Sequence, residues 1–105
     1  MTRQEEIFRK IFNATKSGKM LWFAGVKGYL SNLNSCCFKI DLLENVRYIA
    51  HKEFVIDKKL MGENNIISSD GVSVKIQQEL EDLCTMIKEQ IQEREDKEFH
   101  RFMAL

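Results

Sequence analysis

The chain has 105 residues, 44% of them hydrophobic and 30% charged, with 16 Lys/Arg balanced by 16 Asp/Glu. That length suits one domain burying roughly two-thirds of its unfolded surface. No apolar run approaches the ~18 residues of a membrane span, which argues against a membrane protein. The zero balance does not suit a strongly basic nucleic-acid carrier.

The opening residues, Met1-Thr2-Arg3-Gln4-Glu5-Glu6, are polar and acidic where a secretory signal is basic and then apolar. Three cysteines, Cys36, Cys37 and Cys84, form no CxxC pair, and two adjacent ones diverge across a strand. Both features predict a cytoplasmic protein with reduced thiols and no disulfide framework. Charge is segregated: residues 1–60 hold 11 Lys/Arg and 6 Asp/Glu (+5), and residues 61–105 hold 5 and 10 (−5). This asymmetry fits an acidic last helix pairing with the basic half, in the same chain or a neighbour, or a basic face for an anionic partner.

A first helix is predicted from Arg3 to Ser17, with Thr2 as cap and Glu5 completing a capping box. Ile7, Phe8, Ile11 and Phe12 share one face, and Gly18 supplies a left-handed stop. A strand over Lys19–Ala24 follows, apolar on both sides, which predicts a central or doubly covered position. Gly25 and Gly28 punctuate before a short strand at Tyr29–Leu33.

Ser35–Leu43 alternates most clearly, with Cys36, Phe38, Ile40 and Leu42 facing one way and Lys39 and Asp41 the other. Val46–Ala50 and Glu53–Asp57 are expected to continue the meander, with Phe54 and Ile56 inward. Met61–Asn65 reads as a turn, Ile66-Ile67 as a last pairing, and Ser68–Gly71 as a break. A closing helix begins near Ser73 and carries Ile76, Leu80, Leu83, Cys84, Ile87 and Ile91 at helical spacing. Its pattern lapses through seven mostly charged residues and resumes at Phe99, Phe102, Met103 and Leu105. With no proline, repeat or low-complexity linker, the chain reads as a compact body over 1–92 with a helical tail over 93–105.

These elements predict an α+β fold, a small antiparallel sheet of four or five strands with the N-terminal and the long C-terminal helix on one face. The other face would be mixed, with Lys39 and Asp41 beside Leu21 and Phe23. The helix ending in Ala14-Thr15-x-x-Gly18, with Trp22 four residues on, resembles a loose group of small uncharacterised bacterial and phage proteins. The likeness runs over residues 7–22 and again over 80–91, where Leu80 and Leu83 form a Leu-x-x-Leu core. Members often carry Tyr where this chain has Cys84. The resemblance implies the layout and no activity.

Chemistry-bearing patterns are sparse. Ser17-Gly18-Lys19 lacks the earlier Gly and the following Ser/Thr of a phosphate loop, and runs from helix to strand. Cys36, Cys37 and His51 do not have zinc-ligand spacing, so no metal or other cofactor is expected. Cys84 falls within an apolar stripe, His100 in a charged tail, and nothing sets up paired carboxylates, the acids clustering on the last helix. An enzyme is not expected.

Three binding readings remain. The leading one is a non-enzymatic interaction module, a phage or mobile-element accessory or inhibitor protein acting on a host protein. Its partner is another protein or a second copy, bound through Phe99, Phe102, Met103 and Leu105 together with the outer sheet face. The second is a binder of single-stranded nucleic acid, whose sheet face offers Lys39, Arg47, Tyr48 and Lys52. The third sequesters a nucleotide or other small ligand between sheet and helices.

Overall fold

The computed structural model describes residues 2–44 and 50–105. Helix α1 (Arg3–Lys16) begins on Thr2, whose side chain accepts the Glu5 amide, and ends in a Schellman motif. There the Lys19 amide donates to Ala14 O at 2.9 Å and the Gly18 amide to Thr15 O at 3.1 Å. Gly18 takes φ +77°, which an L side chain rarely adopts. Ser17-Gly18-Lys19 is therefore a helix stop, and Met20 and Trp22 follow it into the core.

Five strands then run as a plain antiparallel meander in the order β1-β2-β3-β4-β5. They are β1 (Trp22–Ala24), β2 (Gly28–Leu33), β3 (Cys36–Glu44), β4 (Ala50–Ile56) and β5 (Ile66–Ser68). Between β2 and β3 the two-residue turn Asn34-Ser35 has φ +52° and +64°, the primed geometry that matches strand twist. Gly28 is obligatory for another reason: a Cβ there would lie 1.8 Å from the Ile40 carbonyl oxygen of the paired strand.

One short helix was not legible. Helix α2 (Lys58–Met61) fills the β4–β5 connection, capped by Asp57. One Asp57 oxygen accepts the Lys59 amide at 2.9 Å and the other the Cys37 amide at 2.9 Å, which ties α2 to the start of β3. These two amides hold the Asp57 carboxyl below its usual range.

Helix α3 (Val74–Met103) starts on Ser73 and runs unbroken for 30 residues, roughly 45 Å at 1.5 Å per residue. Both long helices cover one sheet face. Phe8 and Ile11 of α1 meet Leu80, Leu83 and Ile87 of α3 over Trp22, Ile40, Phe54 and Ile56, all essentially dry. Phe8 packs edge-on against Phe54 at 5.3 Å. Arg9 forks onto the Glu79 carboxylate, fixing the two helices against each other.

The expectation for the first strand needs correction. It is neither central nor doubly covered: β1 is an edge strand, and Leu21 and Phe23 are half exposed. Periodicity registers apolar side chains but not whether a strand has a neighbour on each side. Leu42 shares the face of Ile40, as expected, but lies outside the packed cluster, 38% exposed. Of the segment Val46–Ala50, residues 46–49 lie outside the described residues.

Candidate functional site

The edge that β1 presents is occupied by side chains of α3. The Trp22 amide donates to Gln90 Oε1 at 2.6 Å, and Gln90 Nε2 donates to Met20 O at 2.9 Å. One turn on, Arg94 donates to Trp22 O and lays its guanidinium over the Phe23 ring, 4.7 Å from the centroid. The carboxamide thus stands where a sixth strand would pair. At the opposite edge Gln4 Nε2 of α1 donates to Asn64 O at 2.5 Å, beside β5. An open row of strand amides invites association edge to edge, and here helix side chains close part of both edges.

The sheet face away from the helices is left uncovered by the described residues. Its register aligns Phe23, Leu30, Lys39, Val55 and Ile66 as one row across all five strands. Four of these five side chains are apolar, and Phe23, Leu30 and Ile66 are about half exposed. Lys39 stands mid-row with its ammonium 3.9 Å from Asp41. A concavity of about 530 Å³ opens on this face between Leu30, Cys37, Lys39, Val55 and Asp57. A second, of about 610 Å³, lies between Phe23 and the α3 residues Ile91, Arg94, Glu95 and Glu98. Phe23 belongs to both the row and this groove, so the open face runs continuously onto the exposed end of α3.

Beyond Arg94 the helix leaves the sheet. Phe99 is 60% exposed, Phe102 72% and Met103 64%, and Leu105 is fully exposed. Phe99, Phe102 and Met103 are spaced i, i+3, i+4 and therefore share one side of the helix. All four residues expected to bind a partner are thus together on a projecting tip, with charged side chains around them.

The residues of the nucleic-acid reading are not brought together. Lys39 is on the open face, whereas Lys52 is on the helix-covered face, where its ammonium donates to Glu81 Oε1 of α3 at 2.6 Å. Arg47 and Tyr48 lie outside the described residues. The space between sheet and helices, the pocket of the third reading, is filled by the core side chains.

The thiols differ in setting. Cys37 is exposed on the open face, Cys36 is half-buried, and Cys84 lies in the α3 core stripe, where burial pushes its thiol up to about 11. Among the described residues no group of three or more His, Cys, Asp and Glu side chains is arranged to hold a metal. No described helix is long and apolar enough to cross a membrane. The chain matches no protein-family model, no curated protein and no solved structure.

The sequence points to the tip and to the outer sheet face as surfaces, but not to the row that crosses that face. The row depends on register across four strand pairings, which no local pattern carries. The latch residues Gln90 and Arg94 did leave a trace, since they share the helix side of Ile87 and Ile91 and interrupt an apolar stripe with polar groups.

Proposed function

We propose that this protein is a non-enzymatic protein–protein interaction module whose docking surface is the open sheet face together with the tip of α3. The observation that carries the reading is the row Phe23–Leu30–Lys39–Val55–Ile66, apolar at four of five positions and uncovered by the described residues. A small domain that covers one face of its sheet with helices normally keeps the other polar. Apolar surface left in water on both a flat face and a helix tip is the usual mark of an association site. The separation of Lys39 from Lys52 weighs against a nucleic-acid platform. On this proposal the module is an accessory or inhibitor protein that acts on a host protein in the cytoplasm; the suggestion of phage or mobile-element origin rests on its size and on the resemblance of residues 7–22 and 80–91, which itself carries no activity.

The test is photo-cross-linking in living cells, with a photoreactive phenylalanine analogue placed at Leu30 or at Phe102. Val74, 80% exposed at the start of α3, serves as control. Protein adducts are expected from Leu30 and Phe102 and not from Val74. Equal yields at all three positions, or none, would remove the reading.

A further inference from the structure

The strongest open question about this surface is what covers it. We propose that the occupant is a second copy of this chain, joined by reciprocal exchange. The α3 tip of each protomer lies across the Phe23–Leu30–Lys39–Val55–Ile66 row of the other. This rests on the docking surface proposed above and adds the partner.

One chain alone does not cover its own apolar surface. Helix α3 is continuous from Val74 to Met103 and packs on the covered face of the sheet. A helix without a break does not turn its tip back onto the opposite face. The chain therefore carries a flat apolar row and a projecting apolar tip, and neither satisfies the other within one molecule. In a twofold pair each chain supplies both halves, so every favourable contact is made twice.

Charge agrees. The row has a single cation, Lys39, whose one ion-pair partner among the described residues is Asp41 at 3.9 Å. The tip carries Glu95, which has no ion-pair partner among the described residues, one turn before Phe99.

Area agrees as well. Phe23, Phe99 and Phe102 are 55%, 60% and 72% exposed. Phenylalanines bury ~150–250 Å² each when covered, so these three supply roughly 300–450 Å² per copy. Leu21, Leu30, Ile66, Met103 and Leu105, each about half exposed or more, bring the total into reach of the ~800 Å² per partner of a standard interface. Finally, the groove between Phe23 and the outgoing helix makes row and tip one continuous surface. A second molecule seated on the row would meet the tip at the same time.

The test is the solution mass of the full chain by light scattering, for the wild type, Leu30→Glu and Phe102→Glu, and for the two variants mixed. Both substitutions fall on exposed side chains, and an unchanged far-UV circular dichroism spectrum with a cooperative melt checks that the fold survives. Ile66→Glu repeats the test from the far edge of the row. The wild type is expected at twice the 12.4 kDa chain mass. Each variant alone should weaken association by at least about a hundredfold, because an unpaired carboxylate enters both symmetric contacts.

Mixing is the decisive arm. A heterodimer of the two variants has one contact with both members wild type and one with both altered, so mixing should restore dimer at intermediate affinity. Loss with Phe102→Glu alone means tip-to-tip pairing, and loss with Leu30→Glu alone means face-to-face pairing; either overturns the proposal. Absence of rescue on mixing also overturns it. A wild-type monomer at every concentration overturns the proposal but not the wider reading, which then stands or falls on hetero-adducts at Leu30 and Phe102.

Discussion

Replacing Gln90 with Leu tests whether α3 acts as the missing neighbour of β1. Leucine keeps the volume and the helix propensity, but removes the acceptor of the Trp22 amide at 2.6 Å and the donor to Met20 O at 2.9 Å. A hydrogen bond contributes about 0.5–1.5 kcal/mol net, and a buried partner left unsatisfied costs about 1–3 kcal/mol. Met20 and Trp22 are both essentially dry, so water recovers little of the loss unless the edge opens, and the expected destabilisation is at least ~2 kcal/mol. For a domain of this size that lowers Tm by roughly 8–16 °C. Chemical denaturation with thermal melting provides the assay. Gln92→Leu is the control, since Gln92 donates only to Asp96 one turn away on the exposed side and should cost under ~0.5 kcal/mol. Light scattering should also reveal association through the freed β1 edge. If Gln90→Leu is no more costly than Gln92→Leu, the latch contributes nothing and the reasoning fails.

Three further expectations concern the body of the fold. Thr15 Oγ1 accepts the buried Trp22 indole N–H at 2.9 Å and donates to Ile11 O; Thr15→Val should cost ~1–3 kcal/mol in urea unfolding, and Thr15→Ser much less. Gly28→Ala forces a Cβ against the Ile40 carbonyl, so a loss of ~3 kcal/mol or more, or failure to fold, is expected; a soluble variant melting like the wild type would contradict the β2–β3 register. Cys84 is raised from its ordinary 9.0 to about 11, so its contribution to stability is complete below pH 9 and is lost as pH rises through 11. The difference is on the order of 2–3 kcal/mol, seen as a steeper alkaline fall in unfolding free energy for the wild type than for Cys84→Ala. Parallel slopes would show that the thiol is not desolvated.

How much of this was legible depends on how far each feature reaches along the chain. Thr2, Gly18 and Ser73 mark helix ends because a cap is a bargain struck within four residues. The alternation of Phe38 and Ile40 against Lys39 and Asp41 told the two faces of β3 apart for the same reason. Helix α2 went unread because one turn is too short to show a period, although Asp57 before Lys58 is a cap signal. The edge position of β1 and the alignment of Phe23 with Ile66 depend on contacts made across 40 residues or more, and composition does not encode them. The tip was visible because its apolar residues resume after a charged gap, yet only the unbroken α3 shows that it projects.

Cys37 gives direct access to the central claim that the open face is covered when the protein assembles. Its thiol is exposed beside the 530 Å³ concavity on that face, while Cys84 is buried. The measurement is the rate at which a bulky maleimide modifies Cys37, followed by peptide mass across a range of protein concentrations. The account predicts that the rate falls several-fold as concentration rises, and that Phe102→Glu abolishes the fall. A rate independent of concentration and unchanged by Phe102→Glu would contradict the assembly through this face.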